Sequence, residues 1–233
     1  MLPAKIRTFL GPRGQQRSKA AKPGGGRSPA PKIFCVGRNK TGTTSLKKAF
    51  QDLGFHVGVQ LDAELLYDKH YHTRDFAPLI DYCHSAQVFQ DVPFSCPFFH
   101  VALDQAFPGS KFILSVRDSA EQWYASITRF HAKLWGTDGK PPTALQLREA
   151  TYRHKGFPYN VVRLHGTTDE APYDKATFIA HYERHNASVI DYFRYRPDDL
   201  LVINLAEPGS YRRFTDFIGV DSPFQDFPWE NKT

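Results

Sequence analysis

Short apolar runs alternate along this chain with longer stretches in which apolar residues recur at helical spacing. Residues 32–36, 86–89, 111–116 and 200–205 read as buried strands. The third is apolar except near Ser115, the pattern of a strand covered on both faces. A helix is predicted from 43 to about 50, with Leu46, Ala49 and Phe50 on one face and Leu53 continuing it. Weaker helical patterns cover 61–69 and 74–83, the second limited by Pro78. The spacing predicts a helix over 97–107, with Phe98, Val101, Ala102 and Gln105 along one side and Pro108-Gly109 ending it. Another runs to about 134 behind a packing stripe of Trp123, Ile127, Phe130 and Leu134. At its start, Asp118 with Glu121, or Ser119 with Gln122, fits a capping box. Long helical spacing within 173–195 and a last helix over 209–218 complete the series. Residues 55–59 read either as a short strand or as a returning loop, 136–142 as a turn, and 143–170 show no clear period. Strands alternating with helices predict an α/β fold, a three-layer sandwich around a mainly parallel central sheet.

Charge divides the chain. The formal net charge is +6, yet residues 1–51 hold 12 Lys or Arg and no Asp or Glu, so the remainder is net acidic. Residues 1–31, rich in Pro and Gly, lack the apolar content to offset ordering entropy and are expected to be a disordered basic leader, with 32–233 as one domain. The body is therefore not a general polyanion binder, and any nucleic-acid contact would fall to the leader. No run of eighteen apolar residues predicts a transmembrane helix. Three cysteines, without paired metal-ligand spacing, favour a reducing compartment; the expected location is cytoplasmic, unless the leader is a targeting segment.

The chemistry concentrates at 37–46, GRNKTGTTSL. Strand, glycine-bounded polar loop and helix start form a P-loop-like phosphate cradle, because unpaired N–H groups at a helix start attract an anion. Gly42 permits close approach, Thr43, Thr44 and Ser45 offer hydroxyls, and Lys40 brings a mobile charge. The lysine precedes the last glycine by two residues instead of following it, so this is not a Walker A loop. The plainer alternative is a helix start with incidental hydroxyls. Asp91 and Arg117 also fall at strand C-terminal ends, where ligands bind in open α/β sheets.

Together with FPGSKFILSVRDSAEQWYAS at 107–126, DDLLVINL at 198–205 and FIGVDSPFQDFPWEN at 217–231, the first loop resembles the sulfotransferase superfamily, in particular a compact branch, over about 32–231. The resemblance implies 3′-phosphoadenosine 5′-phosphosulfate (PAPS) as donor and 3′,5′-ADP as product. It implies that Lys40, Thr41, Gly42, Thr43, Thr44 and Ser45 hold the phosphosulfate end and that Arg117 holds the 3′-phosphate. A helix serine shares that last task in the family; the usual spacing falls on Ala125, and Ser126 lies one residue, or about 100°, beyond. Arg38 either assists the donor or faces solvent. Trp123 either touches adenine or packs in the core. The alternative for Arg117 is to brace the helix start beside Asp118.

Lysine, arginine and a helix N-terminus supply the positive field, so no metal is required in this reading. The acceptor would be a hydroxyl or amine on a small molecule, sugar or lipid. A hydroxyl needs a base. Asp91 is the first candidate, with capping of a turn before Pro93, or a basic partner, as its alternatives; His100 is the second, ahead of His56 and His131. A lone histidine is more often an ordinary packed or surface residue. Two other classes compete: a small nucleotide-dependent kinase, which the lysine position disfavours, and a noncatalytic nucleotide- or phospho-ligand-binding protein.

Overall fold

The structure, a computed structural model, describes residues 31–228; the leader reading lies outside the described residues except at Pro31. Four strands, β1 (Ile33–Cys35), β2 (Val88–Gln90), β3 (Lys111–Val116) and β4 (Leu200–Asn204), form a sheet in the order β2-β1-β3-β4. All three pairings are parallel. Parallel neighbours need long crossovers, and helices supply them. In chain order these are α1 (Thr43–Asp52), α2 (Gln60–Leu66), α3 (Ala77–Tyr82), α4 (Phe99–Ala106), α5 (Ala120–Trp135), α6 (Ala144–Glu149), α7 (Phe157–Arg163), α8 (Lys175–Tyr192) and α9 (Ser210–Ile218).

Strand alternation sorts the core into two faces. Phe34, Val36, Phe89, Phe112 and Leu114 pack with Phe99 and Leu103 of α4 and Val189 of α8. Ile33, Cys35, Val88, Ile113 and Ile203 pack on the other side with Leu46, Ala49 and Phe50 of α1 and Tyr211 and Phe214 of α9. The Phe34 ring lies within 6.2 Å, centroid to centroid, of those of Phe89, Phe94, Phe107 and Phe112. A third cluster, around Trp123, Ile127, Leu147, Val162, Phe178 and Tyr182, joins α5 to α8 beyond the sheet. Because β2 and β3 flank β1, the chain leaves β1 in two directions. That switch point opens a crevice at the strand C-terminal ends.

Several sequence expectations change. Residues 55–59 make a returning loop with one bridge, Val57 to Val88, and no strand. The pattern at 61–69 becomes α2 followed by a π-turn, Tyr67–Tyr71. Pro78 sits in the first turn of α3, where its missing N–H costs nothing, so it starts that helix instead of limiting it. α4 buries Phe99, His100, Leu103 and Asp104, the side opposite the predicted Phe98, Val101, Ala102 and Gln105, and Phe98, in a left-handed turn (φ 62°) at the helix start, points outward. The α5 stripe holds at Trp123 and Ile127 but continues to His131, leaving Leu134 exposed. Ser119 caps α5 by accepting from the Gln122 N–H, while the Gln122 side chain accepts from Asp118. The stretch without a period contains α6 and α7. Cys35, Cys83 and Cys96 are free and buried. Among the described residues no helix is long and apolar enough to cross a membrane.

Five buried histidines make the fold acid-sensitive. Burial pushes His100 down to about 4 and His131 and His185 to about 3, and drives His165 and His181 well below the usual value. The buried Arg38 guanidinium adds repulsion for His165, His181 and His185. A group depressed in the folded state binds its proton more readily when unfolded. Its stabilising contribution is complete above about pH 6.5 and is lost as pH falls towards the folded values. Asp91 and Glu64, whose carboxyls burial raises, and His154, held up by its hydrogen bond to the Lys155 carbonyl, oppose this, while His72, also depressed by burial, adds to it. The expected outcome is a melting temperature that falls steadily from about pH 6.5 to pH 4. A flat profile by calorimetry would remove the buried neutral imidazoles from the account.

Candidate functional site

A cavity of about 210 Å³ opens at the switch point. Its floor is the loop between β1 and α1, contributing Asn39, Lys40, Gly42, Thr43, Thr44 and Ser45. Asp91 enters from the end of β2 and Arg117 from the end of β3. Phe130, His131 and Trp135 of α5 form one wall; Glu64, Tyr152 and Phe157 form the other.

Backbone geometry shapes the loop. Gly42 has φ 100° and precedes α1, whose start carries no side-chain cap. A Cβ on Gly42 would meet the Leu205 side chain at 2.7 Å. Lys40 and Asp91 hold left-handed conformations, φ 69° and 63°, which non-glycine residues rarely adopt. Such conformations persist only where surroundings hold them. For Lys40 the holder is visible: Arg117 Nε donates to its carbonyl at 2.6 Å. Trp123 Nε1 donates to the carbonyl of Asn39 at 2.9 Å, and the Arg117 amide donates to Tyr182 Oη at 3.0 Å.

The charges are uneven. The Lys40 ammonium lies over the Phe130 ring, 4.1 Å from its centroid, and among the described residues it forms no ion pair. Burial, then the Arg117 charge, lower its pKa, with Asp91 partly opposing. Arg117 keeps its two terminal nitrogens without a hydrogen-bond partner among the described residues. Asp91 accepts from the Val92 amide at 2.9 Å and from Thr43 Oγ1 at 3.2 Å; burial nevertheless raises its carboxyl. Glu64 is buried, paired with Arg153 and bonded by Gln60 Nε2 at 3.3 Å. Burial also raises its pKa, and the Arg153 hydrogen bond resists.

The structure therefore gathers Lys40, Gly42, Thr43, Thr44, Ser45, Asp91 and Arg117 into one cavity, and leaves other sequence candidates out of its lining. Arg38 neither lines it nor faces solvent. Its guanidinium is buried, donating to the Ser95 carbonyl at 2.7 Å and lying 3.1 Å from His165 Nε2. Thr41 turns inward to Ser115 Oγ and the Arg38 carbonyl, both at 2.6 Å. His100 packs against the Tyr192 and Phe193 rings instead of the cavity, since the phase of α4 carries it to the core. His56 is exposed elsewhere. Ser126, buried with an unbonded hydroxyl, lies one turn before Phe130 but outside the lining. Trp123 is core, stacked on Tyr182 at 4.6 Å, not an open platform. His131 does reach the cavity, with Nδ1 held 2.9 Å from Tyr173 Oη.

Sequence reasoning missed Glu64, Tyr152, Trp135 and Phe157. A signal for Glu64 existed: with Tyr67 and Tyr71 it sits at i, i+3 and i+7, an acid on an otherwise inward face. Tyr152 and Phe157 lie on the stretch that showed no period, and Trp135 is the last residue of α5, one past the predicted end of that helix.

Among the described residues no group of three or more His, Cys, Asp or Glu is placed to hold a metal ion. No curated protein matches the sequence. The family described as sulfotransferase domain matches residues 32–233, most of the chain and all of the described fold except Pro31. The chain belongs to the sulfotransferase family.

Proposed function

We propose that the protein moves a sulfuryl group from PAPS to an acceptor hydroxyl or amine. The observation that carries this reading is the meeting of Lys40 and Arg117 over the uncapped start of α1, two cations with no ion-pair partner among the described residues. The donor set fits the anionic groups of PAPS: the Lys40 ammonium, helix-start amides and the Thr44 hydroxyl for the phosphosulfate, and the Arg117 guanidinium for the 3′-phosphate. At about 210 Å³ the cavity is below the roughly 300–1,000 Å³ of a pocket for a drug-sized ligand, so it suits the anionic end and not a whole nucleotide. Bound PAPS would supply the activated sulfuryl group and a phosphate leaving group.

Lys40 and the loop amides would meet the negative charge that grows on that phosphate, stabilising the transition state more than the ground state. Arg117 has a double task, holding the Lys40 carbonyl through Nε and offering its terminal nitrogens to the 3′-phosphate. Aromatic walls at Phe130, Trp135 and Tyr152 narrow access by water. A carboxylate with a raised pKa, Asp91 or Glu64, would take the acceptor proton at a carboxylate oxygen. Asp91 is already committed to two donors, whereas Glu64 is bound chiefly through the movable Arg153 side chain. That favours Glu64 when an acceptor displaces Arg153.

Transfer of label from PAPS to an acceptor library, with a no-acceptor control, tests the reaction. Donor binding without transfer would indicate the noncatalytic reading. Glu64→Gln is expected to lower kcat by about 10²-fold and to flatten the acidic limb of the pH–rate profile. Asp91→Asn should cost less, and the reverse order would return the base to Asp91. Arg117→Ala should weaken both 3′,5′-ADP and 5′-AMP through the loop. The loss for 3′,5′-ADP should be about tenfold greater, measured by calorimetry; equal losses would reject the 3′-phosphate role.

A further inference from the structure

We propose a second ligand site, for a small apolar carboxylate, in a groove of about 720 Å³ between the end of the π-turn, the start of α4 and α8. It shares no lining residue with the phosphate-loop cavity. Tyr71, Phe76, Pro97, Phe98 and Leu164 give it apolar walls. Arg74 and Arg184 stand among them, with His181, His185 and Ser188 along α8. Among the described residues no acidic side chain lines the groove.

Two features call for a ligand. The first is uncompensated charge. Several surface arginines are paired, Arg148 with Asp169, Arg153 with Glu64, Arg196 with Asp104 and Arg213 with Glu207, while Arg129 and Arg163 are exposed without an ion-pair partner among the described residues; what sets Arg74 and Arg184 apart is that both stand in one apolar groove. The side chains of Arg74 and Arg184 make no hydrogen bond or ion pair among the described residues. Beside them, His181 and His185 are buried and held neutral, and His185 donates from Nε2 to the Val36 carbonyl, so the two arginines alone carry the charge of the groove. The second feature is Phe98, which holds its ring 70% exposed from a left-handed backbone, φ 62°. An aromatic residue is a real outlier there, and packing within the fold does not repay it. A ligand lying along the groove would.

The occupant must bring a negative charge and an apolar body. Residues 1–30 cannot supply the charge, because they hold seven Lys or Arg and no Asp or Glu. Phe227, near the last described residue, packs on Tyr211 and Phe214 beneath α9, on the opposite face of the sheet. A planar guanidinium pairs best with a planar carboxylate, and the volume suits one drug-sized molecule. The groove also adjoins the loop's support. His185 Nε2 lies 2.8 Å from the Val36 carbonyl, directly before the phosphate loop.

Calorimetric titration with decanoate, kept below its micelle concentration, tests the site in the full chain, with decyltrimethylammonium as the cationic control. One decanoate per chain is expected, binding about tenfold or more tighter than the cation. Arg74→Glu with Arg184→Glu should weaken decanoate about tenfold or more, and Phe98→Ala severalfold. All three residues are exposed, so the near-UV circular dichroism of the variants should match the parent. Saturating 3′,5′-ADP should not displace decanoate. Equal affinity for both amphiphiles, full affinity in the charge-reversed variant, displacement by 3′,5′-ADP, or no binding would each overturn the proposal. The site does not depend on the sulfuryl-transfer reading, so either can fail alone.

Discussion

Lys40→Ala is expected to lower sulfuryl transfer by about 10²-fold or more with little loss of fold. Removing a single well-placed donor to developing charge costs roughly 3 kcal/mol in comparable sites. The structural loss is small by contrast. The Lys40 side chain touches the Phe130 ring and forms no ion pair among the described residues, a contact of about 0.5–1 kcal/mol. Its backbone is held independently, through the carbonyl that accepts from Arg117. Alanine tolerates φ 69° no worse than lysine does, since both carry a Cβ. Initial rates with labelled PAPS, read beside the melting temperature, separate the two effects. An unchanged rate with a folded protein would take the loop lysine out of catalysis. Lys40→Arg should recover part of the rate, because charge returns without the compact ammonium.

Trp123→Ala is expected to produce the largest loss of stability among the single changes considered. The ring is fully buried, stacked on Tyr182 at 4.6 Å, and belongs to the cluster that joins α5 to α8. Truncating a buried aromatic to alanine costs about 3–5 kcal/mol. That is a large part of the roughly 5–15 kcal/mol that holds a domain folded. Function would suffer with it under the proposed reading, because the ring supports both the loop and Arg117 at the cavity. Its Nε1 fixes the Asn39 carbonyl, and its stacking partner Tyr182 accepts from the Arg117 amide. Trp123→Phe should separate packing from bonding. Urea unfolding is expected to show most of the stability restored, while the KM for PAPS stays raised because Asn39 loses its donor. A Trp123→Ala protein as stable as the parent would contradict the packing described here.

The strands, the polar loop before α1 and the convergence of Lys40, Asp91 and Arg117 were legible from the sequence because their signals are local. An apolar run bounded by polar turns marks a strand, glycine and hydroxyl residues mark a loop before a helix, and strand ends in a parallel sheet share one edge. The direction of individual side chains was not legible. Arg38 and Lys40 lie two residues apart with like charge, yet one is buried against Ser95 and His165 and the other lines the cavity. The left-handed turn at Lys40 and a histidine 127 positions along the chain from Arg38 decide that difference. Phe98, left-handed at the start of α4, likewise points outward while His100 goes to the core. α6 and α7, with six and seven residues, are too short to display a period.

By itself, then, the sequence determined an α/β chain of the sulfotransferase family with a glycine-bounded polar loop between its first strand and first helix, since periodicity and loop composition act over a few residues. Only the tertiary structure decided which charges face the cavity, brought Glu64 opposite that loop and left Arg74 and Arg184 unpaired beside an apolar groove. Those outcomes depend on burial and on contacts between elements far apart in the chain, where neighbours in space, not in sequence, set the energy of a charge.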